Sequence, residues 1–99
     1  MDDKPSVPER EQITLINRFP ASVQLDVEPW GEQIQLPTDE PYEVIASGPA
    51  PTCLRVEFEP TRFVVYGWPG STLVVLKEGQ TIVECSVPVP AIPKGIRYV

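Results

Sequence analysis

The chain has no histidine. This removes the Ser-His-Asp and Cys-His arrangements of nucleophilic catalysis and every zinc site built on imidazole. Two cysteines, Cys53 and Cys85, cannot make a four-thiolate metal site either. Glycine is sparse, six residues scattered among turns, and neither common phosphate-binding loop pattern occurs. Asn17 is the only asparagine, so the dense Asp/Asn loop of calcium sites is missing. Bases are few and never cluster. With 8 Lys+Arg against 14 Asp+Glu, the net charge of −6 opposes binding to nucleic acid and to anionic membrane surfaces. Apolar runs such as Leu73 to Leu76 are far too short to span a bilayer. Met1-Asp2-Asp3-Lys4 is acidic where a secretory leader would be positive. These absences point to a non-catalytic, cytoplasmic protein with no cofactor and no metal.

What the chain does have is proline and period-two alternation. Thirteen prolines leave little room for a long helix. Between them run short stretches in which apolar and polar residues alternate, the pattern of half-buried antiparallel strands. They are 11–18, 22–28, 32–36, 42–46, 52–58, 62–66, 71–78 and 81–87. In the second, Val23, Leu25 and Val27 alternate with Gln24, Asp26 and Glu28. Turn signals separate the runs: Arg-Phe-Pro-Ala at 18–21, Pro-Trp-Gly at 29–31, Glu-Pro-Thr at 59–61 and Trp-Pro-Gly at 68–70, among others. The pattern predicts an all-β fold, one small antiparallel β-sandwich or barrel-like domain of about 7–8 short strands. Its length of 99 residues suffices for one core without a disulfide or metal staple.

Residues 1–10 lack periodicity and read as a flexible N-terminal tail. The β-sandwich domain is expected over 11–87. Residues 88–99, with prolines at 88, 90 and 93, read as an extended C-terminal arm. Its Ile96, Tyr98 and Val99 could support a homodimer, and its single PxxP (Pro90 to Pro93) is a weak signal for an SH3-type partner. Alternation places Cys53 on the polar side of its strand with Arg55 and Glu57, and Cys85 inward with Val83 and Val87. The two sulfurs therefore point apart and are expected to be free thiols.

Two features remain as candidates for chemistry. The first is carboxylates: Glu57 and Glu59 lie two apart on one strand, and Glu28 and Glu32 flank a turn. Paired carboxylates roughly 5–10 Å apart are what a glycosidase needs, but a domain this small rarely encloses a substrate, and a solvated sheet face is the simpler reading. The second is aromatic. Trp30 and Trp68 both sit at turns next to glycine, where an indole can reach outward or fold over the open end of a sandwich and seal it. Exposed, they would make a protein contact with Tyr66, Glu28 and Glu32 around them, or a stacking platform for a carbohydrate or other small ligand.

"EPWGEQIQLP" and "YGWPGSTLVVLKEG" resemble a group of short bacterial proteins of unassigned function that carry a Glu-Pro-Trp-Gly turn. The resemblance covers about residues 13–79. It implies a bacterial, cytosolic β-domain and brings no catalytic residue with it. The expectation that results is a domain acting by protein–protein contact or self-association, with Trp30, Trp68, Tyr66, Glu28 and Glu32 as the candidate surface. The alternative is a carbohydrate- or small-ligand-binding module using the two tryptophans.

Overall fold

The computed structural model describes residues 9–90. Eight strands follow in order: β1 (Glu9–Ile16), β2 (Val23–Glu28), β3 (Glu32–Leu36), β4 (Pro41–Gly48), β5 (Arg55–Phe58), β6 (Arg62–Tyr66), β7 (Thr72–Lys77) and β8 (Gln80–Cys85). They form two four-stranded sheets, β1-β4-β7-β8 and β3-β2-β6-β5. Separate sheets with open edges make this a sandwich and not a barrel. The described range holds no helix, and so none long and apolar enough to cross a membrane. β1 begins at Glu9, inside the expected tail; residues 1–8 and 91–99, the rest of the tail and most of the arm, lie outside the described residues.

One pairing departs from the antiparallel expectation. β2 and β6 run parallel, with Leu25 opposite Phe63 and Val27 opposite Val65. The cause is the path of the chain. After the β2–β3 hairpin it crosses to the first sheet for β4, then returns as the β5–β6 hairpin, so β6 enters beside β2 in the same direction.

Alternation decides which side chains meet between the sheets. Leu25, Val27, Val44, Val65, Leu73 and Val75 are fully or almost fully buried, and each such burial stabilises by about 1.5–3 kcal/mol. Three polar residues join them. Asn17, just after β1, is fully buried: its amide donates to the carbonyls of Ala21 (2.8 Å) and Leu36 (2.9 Å), and its oxygen accepts from the Phe19 N–H (2.8 Å). Ser71 is buried at the other end, and Asp26 is buried on the outer face of the second sheet. Asp26 accepts from Arg62 Nη1 (3.0 Å) and Gln24 Nε2 (2.6 Å), so its charge is paired as burial requires. Glu11, at the edge of β1, reaches the opposite sheet side, accepting from Thr52 Oγ1 (2.7 Å) and the Leu54 N–H (3.0 Å).

The strand registers gather the loops at two ends. One carries the connections 29–31, 49–54 and 67–71 with the segment after β8; the other carries 17–22, 37–40, 59–61 and 78–79. The first is the tryptophan end, the second the phenylalanine end.

Candidate functional site

At the tryptophan end, Pro29-Trp30-Gly31 closes the β2–β3 hairpin. Gly31 takes a φ of 80°, a left-handed conformation open to glycine, and its N–H returns to the Val27 carbonyl (2.9 Å). Trp30 is half-buried. Its indole N–H donates to the Val87 carbonyl (2.6 Å), and its ring lies against Gly67. Trp68 is 4% exposed and belongs to the core cluster. Its indole N–H donates to the Pro49 carbonyl (2.8 Å), its backbone N–H to Ser71 Oγ (2.9 Å), and its carbonyl accepts from the Ser71 N–H (2.9 Å). Both indoles therefore tie loops together, and Trp68 offers no surface for a partner or a sugar.

The other expected residues share this end but face different ways. Glu28 and Tyr66 are opposite one another on the outer face of the second sheet. The Arg55 guanidinium stands 4.6 Å above the centre of the Tyr66 ring and covers it. Glu32 has the same inward parity as Ile34 and Leu36, at the β3 edge. It is near enough to Cys85 for its charge to act on the thiol. Burial, and then Glu32, push the Cys85 pKa up to about 11. The five residues meet at one end of the fold without forming one surface.

The Glu57 and Glu59 carboxylates are each paired with an arginine. Glu59 accepts from Arg62 Nε, and Glu57 stands 3.9 Å from Arg55 Nε. No group of three or more His, Cys, Asp or Glu that could hold a metal occurs among the described residues. Cys53 is exposed and Cys85 buried, both as free thiols, as the alternation implied.

The phenylalanine end is different. Phe58, at the end of edge strand β5, is 65% exposed, and Phe19, in the β1–β2 loop, is 45% exposed. They flank buried Phe63: Phe58 meets it edge-on with ring centres 4.8 Å apart, and Phe19 lies 6.3 Å away, tilted. Hydrogen bonding fixes the backbone that carries Phe19, through Asn17 on one side and Thr38 Oγ1, which donates to the Phe19 carbonyl (2.8 Å), on the other. Every base here has a carboxylate partner: Arg18 with Asp39 (2.9 Å), Arg62 with Asp26 and Glu59, and Lys77 with Glu40. The hydrogen bond from Arg62 to Glu59 is the first cause of the raised Arg62 pKa, and that from Lys77 to Glu40 of the raised Lys77 pKa.

Alternation alone missed this site. Phe58 has inward parity with Val56, opposite Phe63, and reads as core. It lies at the end of β5, a four-residue edge strand with no neighbouring strand on its outer side. The signal within reach was Phe19, an aromatic in a turn directly before Pro20. In comparisons with known proteins the chain matches no family model, no curated protein and no solved structure.

Proposed function

We infer that this domain is a non-catalytic contact module that self-associates through its phenylalanine end. The observation that carries the reading is the pair of exposed rings, Phe58 and Phe19, set on either side of buried Phe63. Large aromatics held rigidly at a surface are the side chains that anchor protein contacts. Charge favours a second copy as the partner. A chain of net charge −6 repels itself over most of its surface. Around the phenylalanines, Arg18, Lys77 and Arg62 pair with Asp39, Glu40 and the Glu59 and Asp26 carboxylates, which lowers the repulsion between two copies that approach there.

The carbohydrate or small-ligand alternative has less support, because its platform was Trp30 with Trp68. The Trp68 ring is inside the core and both indole N–H groups are bonded to carbonyls of this chain. Sedimentation equilibrium over a range of protein concentration tests the reading. The full chain should show a reversible dimer. Phe58→Ser should weaken it by about 2 kcal/mol or more, roughly 30-fold in Kd, with the unfolding midpoint nearly unchanged. A chain that stays monomeric at the highest concentration reached, or a dimer indifferent to Phe58→Ser, would end the proposal.

A further inference from the structure

Phe58 ends a strand whose outer edge is open. β5 pairs with β6 on one side and has no neighbouring strand on the other. The Glu59 N–H donates to the Arg62 carbonyl (2.8 Å), so residues 59 and 62 form a hydrogen-bonded pair next to the turn. Bonded and unbonded pairs alternate along an antiparallel ladder, which makes Glu57–Val64 and Arg55–Tyr66 bonded pairs as well. The N–H and carbonyl groups of Val56 and Phe58 therefore point away from β6, toward the open edge. Leu54, directly before β5, has the same parity, and its N–H is already taken by Glu11 Oε2 (3.0 Å), which leaves its carbonyl. The β5–β6 register runs without a shift, whereas the edge strand β8 is bulged against β7. A bulge blunts an edge against further pairing, and β5 has none.

We propose that β5 pairs antiparallel with β5 of a second copy about a two-fold axis at Val56, which joins the two β3-β2-β6-β5 sheets into one. This pairing rests on the self-association inferred above and specifies the contact that Phe58 makes. Charge selects the register. With the axis at Val56, Arg55 of each copy stands opposite Glu57 of the other, an attractive pair made twice. An axis at Arg55 would oppose the two Arg55 side chains, and an axis at Glu57 the two Glu57 side chains. An axis at Phe58 would oppose Glu57 to Glu59. Among the β5 positions, only Val56 brings unlike charges together without opposing like ones.

Both charged side chains have room for such a partner. Arg55 and Glu57 are 63% and 49% exposed, and their contact within the chain is long at 3.9 Å. The Arg55 guanidinium lies flat enough over Tyr66 to stack on it, which leaves its N–H groups for a carboxylate. On the inner face, Val56 meets Val56 of the second copy, and the exposed Phe58 ring gains the half-buried Leu54 of the second copy as its neighbour. The ladder gains a bond from each Val56 N–H to the opposite Val56 carbonyl, and one from each Phe58 N–H to the opposite Leu54 carbonyl. So short a ladder suits a reversible dimer. The two-fold axis uses the β5 edge of both copies, so this contact closes and does not propagate.

Sedimentation equilibrium of the full chain and two variants tests the register, and hydrogen exchange tests the backbone pairing. Glu57→Arg opposes like charges at both pairs and should weaken the dimer about tenfold or more in Kd. Adding Arg55→Glu to it restores unlike pairs and should recover most of that loss. Both side chains lie outside the core, so the folding of either variant is not at stake. In the native chain, the Val56 and Phe58 amides should exchange more slowly as concentration rises through the Kd, with those of edge strand β3 unchanged. A dimer indifferent to Glu57→Arg, or one weakened equally by the single and the exchanged variant, overturns the pairing. So does exchange at Val56 and Phe58 that is the same at low and high concentration. In each of these cases a dimer that still responds to Phe58→Ser leaves the self-association standing, whereas a chain that stays monomeric ends both.

Discussion

Trp30 lies across Gly67 so closely that a Cβ at position 67 would come within 2.6 Å of its Cη2 atom and 2.7 Å of Ser71 Oγ. The Gly67 N–H also donates to the Glu28 carbonyl (3.0 Å), so the backbone at 67 cannot withdraw without losing that bond. Gly67→Ala should therefore displace the indole. A cost of about 1–3 kcal/mol is expected, in the range of overpacked sites. Urea unfolding measures it, and a red-shifted tryptophan emission should accompany it as Trp30 moves toward water. An alanine variant with unchanged stability and emission would contradict the packing.

Asn17 does the corresponding work at the opposite end. Two of its three side-chain hydrogen bonds close the β1–β2 loop on Ala21 and Phe19, and the third ties it to Leu36 at the end of β3. Its backbone carbonyl also accepts from the Asp39 N–H (2.8 Å), and Asp39 sits at a φ of 62°. Asn17→Ala leaves the Leu36 carbonyl without its donor in a buried place, with an expected loss of about 2–3 kcal/mol. Because the same loop carries Phe19, hydrogen exchange at residues 18–22 should speed up more than in the strands. Uniform exchange throughout the domain would show that Asn17 does not hold this loop in particular.

Asn17 also shows where reading the sequence stops. A lone asparagine carries no periodic signal, and its role depends on Leu36 being adjacent, which only the fold arranges. The strands themselves were legible because alternation and proline-rich turns are local. Strands 32–36 and 62–66 fall where alternation predicts them, and the others shift by a few residues at their ends. The parallel β2–β6 pair was not legible, since it follows from a chain path through two sheets. The tryptophans were placed correctly at turns, but which way each indole faces was settled by distant carbonyls, Val87 for Trp30 and Pro49 for Trp68. Asp26 has the outward parity of a solvated residue and is buried instead, covered by Arg62 from a strand far along the sequence.

The β7–β8 hairpin turns through Glu78 and Gly79, with φ of 53° and 78°. Two consecutive positive values match the tight hairpin turn that favours Asn-Gly, and a glutamate in the first position is strained. Glu78 is exposed and removing its side chain breaks no core contact. Glu78→Asn should stabilise the domain by about 0.5–1 kcal/mol, seen as a higher urea midpoint with an unchanged slope. A fall in stability would mean that Glu78 makes a compensating contact.

The two thiols should behave oppositely. At about pH 8 a thiol reagent should modify exposed Cys53 in the folded chain and reach Cys85 only after denaturation. Burial raises the Cys85 pKa from 9.0 to about 11, with the Glu32 charge adding to the shift. The folded state thus keeps this proton more tightly than the unfolded state does. The resulting stabilisation is complete below pH 9.0 and is lost as the pH rises through about 11. Stability of Cys85→Ala should fall less steeply over that interval than that of the native chain. Parallel curves would rule out a contribution from this thiol.

Trp30 and Phe58 separate the two ends experimentally, because one is expected to act on folding and the other on association. Trp30 packs over Gly67 and fastens the segment after β8 through the Val87 carbonyl, so Trp30→Ala removes a half-buried ring and a hydrogen bond between distant parts of the same chain. Loss of about 1–3 kcal/mol of stability follows from the lost packing, the Val87 carbonyl being exposed enough to find water instead. Phe58 is 65% exposed, and its ring meets Phe63 edge-on. Phe58→Ser should cost less than about 1 kcal/mol of stability while weakening the dimer. Because folding and association are linked, each measurement must be made at a protein concentration where the chain is monomeric and again where it is dimeric. If Trp30→Ala leaves the monomer as stable as before and abolishes the dimer, the contact surface is the tryptophan end. If it lowers monomer stability and a dimer survives among the folded molecules, Trp30 is a lid, and the phenylalanine end stands as the proposed contact surface.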